Sequence, residues 1–137
     1  MISSRFKKVL LVAPEVSSRQ LTTGYENIMR IHAVNRIFPA IYESNPNLII
    51  LDYNYVSKDA EQIIRRIRTN NFYNKIKICC YKTKAEPKKD GLLKAIGVDY
   101  FVYQEELQAA QNSKNIAGVL GELLDLSVLS LVPSASN

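Results

Sequence analysis

The sequence predicts a three-layer α/β domain, a (βα)5 sandwich on a five-stranded parallel sheet. Three observations carry this prediction. Short runs are wholly apolar, the segments between them have apolar residues at helical spacing, and the two kinds alternate along the chain. Strands that are apolar on both sides belong to a sheet covered on both faces, and alternation with helices makes that sheet parallel.

The elements follow in order. Residues 7–13, KKVLLVA, form a short run closed by Pro14, whose length and valines suit a buried strand. Residues 17–25 read as a weak helix, and residues 28–34 alternate loosely as a second strand. Residues 37–43 give another weak helix with Pro39 in its first turn, where proline is tolerated. NLIILD, residues 47–52, is a third strand that ends abruptly in a carboxylate. In residues 60–68, Ile63, Ile64 and Ile67 lie at helical spacing, opposite Arg65, Arg66 and Arg68. KIKICCY, residues 75–81, is the fourth strand. Residues 87–96 form a helix with Pro87 at its start, Gly97 after its last turn, and Leu92, Leu93 and Ile96 on one face. DYFVY, residues 99–103, is the fifth strand. Ile116, Val119, Leu120, Leu123 and Leu124 mark a final helix. Residues 1–126 thus make one domain, and residues 127–137, with Pro133 and small polar residues, read as a flexible C-terminal tail. A stand-alone domain with no output module is expected.

A length of 137 residues fits a single domain, and 47% hydrophobic with 23% charged residues is an ordinary globular mixture. The two cysteines, Cys79 and Cys80, are adjacent on a strand and point to opposite faces, which excludes an unstrained disulfide between them. They lack the spacing and histidine partners of a zinc site, so they read as small buried residues in a reducing compartment. The apolar run near residue 10 is too short for a signal peptide or a membrane span, and a cytoplasmic location with no membrane partner is expected. The net charge of +5 is spread along the chain, and no helix-turn-helix segment accompanies it, so nucleic acid is not the expected partner. The five glycines form no phosphate loop, and no nucleophile elbow or Cys/His dyad is present; no catalytic residue is assigned. His32, the one histidine, has no ligand partner nearby and reads as structural.

In an open parallel sheet, ligands gather at the carboxyl ends of the strands. The residues expected there are Ala13, Pro14 and Glu15, then Asp52, then Lys82 and Thr83, then Gln104 and Glu105. Asp52 is the most informative of them, because a carboxylate ending a buried apolar strand is costly without a partner.

At these positions the sequence resembles the receiver domains of response regulators. NPNLIILDYN is similar to their third strand, AIGVDYFVYQ to their fifth, and VLLVAPE occupies the place of the first. The resemblance runs from about residue 7 to residue 124. It implies a flavodoxin-like fold and a role in bacterial two-component signalling, with Asp52 at the phosphoacceptor position. It also places Ala13, Pro14 and Glu15 where acidic residues hold Mg2+, Lys82 and Thr83 at the switch position, Tyr103 at the aromatic switch position, and Gln104 where a lysine neutralises the phosphoryl group.

The departures decide the functional expectation. Ala13 and Pro14 offer no side-chain oxygen to Mg2+, a hard cation that needs oxygen ligands, so no metal or other cofactor is expected. Without the cation, phosphoryl transfer loses its main electrostatic stabilisation. Asp52 is expected to pair with Lys82 in a fixed ion pair. The resulting expectation is an atypical receiver that signals by protein–protein contact, with a histidine kinase or an output protein as partner. Dimerisation through the fourth helix, fifth strand and fifth helix fits the same picture, with Tyr103 on that surface. The alternative is a working phosphoacceptor in a phosphorelay, phosphorylated on Asp52 with Mg2+. A flavodoxin-like cofactor-binding domain is a third reading, weakened by the missing glycine-rich turn. Lys82, Lys84, Lys88 and Lys89 form a basic cluster at the mouth of the site, read mainly as solvated charge.

Overall fold

The computed structural model of the chain describes residues 8–14 and 27–106. The helices expected over residues 17–25 and 116–124, the tail at 127–137, and Glu15 lie outside the described residues. Among the described residues there are five strands: β1 Val9–Val12, β2 Ile28–Ile31, β3 Leu48–Asp52, β4 Lys77–Lys82 and β5 Tyr100–Tyr103. Among the same described residues, a 3-10 turn, Val34–Arg36, and the helices α1 Ile37–Ser44, α2 Tyr53–Thr69 and α3 Pro87–Ile96 lie between them. The strands pair in parallel throughout, in the order β2-β1-β3-β4-β5. The expected fold class is the observed one. The order reverses between β1 and β3, which places the crevice of the sheet at the ends of those two strands.

The apolar runs form strands because each residue in them finds a buried face. Val9 to Val12 and Leu48 to Leu51 are almost wholly inaccessible to water. Strand alternation divides them: Leu10, Val12, Ile49, Leu51, Ile78 and Cys80 face α1, α2 and α3 in one continuous core. Leu11, Ile50 and Cys79 on the opposite face are also fully buried. Both cysteines are free thiols in the sheet interior, as their position in an apolar run implies.

α2 shows how sequence becomes packing here. Val56, Ala60, Ile63, Ile64 and Ile67 recur every three or four residues, and all are buried against the sheet. Truncating Ile64 or Ile67 to alanine would cost on the order of 2–5 kcal/mol. The helix begins at Tyr53, well before the expected residue 60, because Asp52 caps it directly from the strand. β2 ends at Ile31, short of the expected residue 34, where the chain tightens into the 3-10 turn. In α3, Leu93 is buried and Ile96 partly buried, but Leu92 is 52% exposed. The inward stripe of that helix runs through Asp90 and Leu93 instead.

A single arginine fastens the amino edge of the sheet. The Arg68 guanidinium donates to the carbonyls of Gly97, Asn74 and Ile76, and to the Asp99 carboxylate. Asp99 in turn accepts from the Ile78 amide at 2.8 Å. Gly97 has φ +134°, and a Cβ there would meet the Arg68 side chain at 2.5 Å, so only glycine fits.

Candidate functional site

The carboxyl ends of β1, β3, β4 and β5 carry the expected site residues Ala13, Pro14, Asp52, Lys82, Thr83, Tyr103 and Gln104. Pairing of Val12 with Leu51 brings Ala13 and Asp52 to the same level of the sheet. Asp52 is 9% exposed. Its Oδ1 accepts the Tyr55 amide at 3.3 Å, capping α2. Burial pushes its carboxyl above the ordinary value, and the amides of Tyr55 and Asn54 partly offset this.

Asp52 and Lys82 do not pair, contrary to the expectation from sequence. The reason is register: Asp52 lies opposite Tyr81, so Lys82, one residue further, points to the other face of the sheet. There Lys82, only 2% exposed, is held by α3. Its Nζ donates to Asp90 Oδ1 and pairs with Glu86 Oε1 at 2.9 Å. Asp90 Oδ2 accepts the Tyr103 hydroxyl at 2.7 Å and the Glu86 amide at 3.0 Å. The Lys82 ammonium also lies 4.9 Å from the centre of the Tyr53 ring, a cation–π distance. The network therefore joins β4, β5 and both neighbouring helices, and no buried side-chain polar atom among the described residues lacks a partner.

The electrostatics agree with a charged pair. Burial alone would lower the Lys82 ammonium, but hydrogen bonds to Asp90 and Glu86 prevail and raise it. Burial would raise the Asp90 carboxyl, but the hydrogen bonds from Lys82, Tyr103 and the Glu86 amide hold it below its ordinary range. Tyr103 is pushed upward by its own burial and by the Asp90 carboxylate.

His32, read from sequence as structural only, and Asn54 and Tyr55, given no role there, complete the crevice. The His32 ring donates from Nδ1 to the Ala13 carbonyl at 2.8 Å, which fixes that nitrogen as the protonated one. The Tyr55 hydroxyl donates to the His32 carbonyl. Asn54 Nδ2 donates to Thr83 Oγ1 at 2.7 Å, linking the start of α2 to the end of β4. Gln104 opens a helical stretch after β5 and is half-buried. Asn54 and Tyr55 follow the capping aspartate, and that cap is the one sequence signal that identifies them.

Does this crevice fit the divalent cation that the resemblance implies? Ala13 and Pro14 contribute no side-chain oxygen, and the Ala13 carbonyl already accepts the His32 proton. Among the described residues, no group of three or more His, Cys, Asp or Glu side chains converges as a metal site. The donor set of these residues does not suit a hard six-coordinate cation.

No protein-family model matches the sequence, and no curated protein matches it either. Solved structures do. A chemotaxis response regulator of Vibrio cholerae, CheY4, superposes with a TM-score of 0.68 at 20% identity, over 88% of this chain and 97% of that one. A response regulator of Thermotoga maritima superposes with a TM-score of 0.65 at 11% identity, over 89% and 98%. One from Hahella chejuensis gives 0.60 at 14% identity, over 91% and 96%. With its strand order and its aspartate at the tip of β3, the chain has the fold of the response-regulator receiver domains.

Proposed function

We propose that this domain works in signal transduction as an atypical receiver, offering a fixed surface to a protein partner without Mg2+-dependent phosphorylation of Asp52. One observation carries the reading: the cation that ends β4 is withdrawn from Asp52 and neutralised on the opposite face by Asp90 and Glu86. A phosphoryl group on Asp52 would lack a compensating charge from Lys82, from Ala13 or Pro14, and from Gln104. Phosphoryl transfer depends on such compensation almost entirely. Tyr103, at the position of the aromatic switch, is held by Asp90 in the same network and has little freedom to report a change at Asp52. The domain then carries no catalytic residue, and its partner is a protein such as a histidine kinase or an output protein. The surface around α3 and β5 is the one it would present, either to that partner or to a second copy of the chain.

Incubation with Mg2+ and a small-molecule phosphodonor, followed by intact mass measurement, tests the reading. The expected result is an unmodified chain and no amide shifts around Asp52 with beryllofluoride. A stoichiometric phosphoryl adduct that disappears in Asp52→Asn would overturn it in favour of a phosphorelay carrier.

A further inference from the structure

The charge pattern of α3 says what kind of partner the docking face takes, and this rests on the reading of the domain as a protein-binding receiver. The two carboxylates at the start of α3, Glu86 and Asp90, are both engaged with Lys82. What the helix shows to solvent is therefore cationic. Lys84 in the preceding loop and Lys88, Lys89 and Lys94 on the helix are all exposed, and among the described residues none of them forms an ion pair. Lys88, Leu92 and Ala95 fall in one outward stripe at helical spacing, with Lys89 and Lys94 on its flanks.

Two further features sit in that stripe. Leu92 is 52% exposed. Gly91 beside it, itself exposed, would meet nothing among the described residues within 4 Å if it carried a Cβ. A glycine in mid-helix weakens the helix and here relieves no crowding among the described residues. It does leave a spot where another backbone can approach Leu92 closely. α2 offers the contrast: its Lys58, Arg65 and Arg66 are interleaved with Asp59 and Glu61, and Arg65 pairs with Glu61 at 3.0 Å.

We propose that the outward face of α3 docks an acidic polypeptide segment of the partner, with an apolar side chain of that segment seated on Leu92 next to Gly91. Charge complementarity selects the sign of the partner, and the apolar centre selects a polypeptide. Nucleic-acid phosphates would favour the forked arginines that this face lacks, and one leucine is too little apolar surface to enter a lipid interface.

The test uses the full chain and a short helical peptide of Glu, Ala and Leu, with a Lys-for-Glu version as control. The acidic peptide should shift the amide resonances of residues 88–95, and the basic one should not. Lys88→Glu combined with Lys89→Glu should weaken binding by about tenfold or more, whereas Arg65→Glu with Arg66→Glu should change it by less than about twofold. Gly91→Tyr, at an exposed position where an added Cβ meets no described residue, should also weaken it. Equal losses from the α2 and α3 double variants, tighter binding of a DNA duplex or of phosphatidylserine vesicles to this face, or no binding at all would overturn the proposal. Asp52→Asn should bind the peptide unchanged. Binding that required phosphodonor treatment would leave this docking face standing and overturn the phosphorylation-free reading beneath it.

Discussion

Replacing Lys82 by methionine isolates the buried network that distinguishes this site. The substitution keeps the apolar stem and removes the ammonium, leaving Asp90 ionised, 8% exposed, and without its cation. Removing one partner of a buried pair costs about 3–5 kcal/mol. Asp90 keeps two hydrogen bonds, from Tyr103 and from the Glu86 amide, which favours the low end of that range. A loss of about 3 kcal/mol is expected, or a fall in Tm of about 10 °C for a domain of this size. Urea unfolding should show the loss with an unchanged m-value. The double variant Lys82→Met with Asp90→Asn should recover much of it, because the uncompensated charge is gone while the amide still bonds.

The dependence on pH has a definite sign. In the native protein Asp90 is held below its ordinary value of 3.8, so its contribution is present above that value and is lost as pH falls through the lower native one. Lys82 is raised above 10.5, so its contribution is complete below that value and is lost only as pH rises through the native one. The pair's contribution is therefore flat across neutral pH. In Lys82→Met the deficit should shrink on acidification, as the bare carboxylate takes up a proton. A loss below about 1 kcal/mol, or a double variant no better than the single one, would refute the network as the element that holds α3 and β5.

The remaining expectations concern separate parts of the molecule. Asp52→Asn keeps the cap and removes a buried charge, so it should be neutral to stabilising at pH 7; since burial raises the native carboxyl above 3.8, that gain should vanish as pH falls below 3.8 in chemical denaturation. Asp52→Ala loses the cap and should forfeit about 1 kcal/mol relative to Asp52→Asn, read in the same experiment. Gly91→Ala has open space for its methyl and should raise stability by roughly 0.5–1 kcal/mol, seen as a higher urea midpoint. The Cys80 thiol is pushed by burial to about 12, and Cys79 is raised as well, so a thiol reagent at pH 8 should label both only at the rate of domain opening.

Much of the architecture was legible because it is written in periodicity. VLLV, LIILD and the Pro87 to Gly97 segment carry strand and helix signals that tertiary contacts reinforce. α2 was half-hidden: residues 53–57 hold one buried apolar side chain, Val56, and the informative mark was the capping Asp52. The site was legible in position but not in pairing. Asp52 and Lys82 end neighbouring strands, and linear reasoning joined them. A register set one residue differently would have done so too, but Asp52 meets Tyr81. The buried partner Asp90 was obscured because an aspartate among lysines reads as surface. Its three-residue spacing from buried Leu93 was the available clue.

The Arg68 knot has a mechanical consequence. One guanidinium at the exit of α2 binds both the turn into β4 and the approach to β5, so two loops at that edge are stitched to a common point. Loss of that one side chain would free both loops together, so the entry points of β4 and β5 stand or fall as a unit.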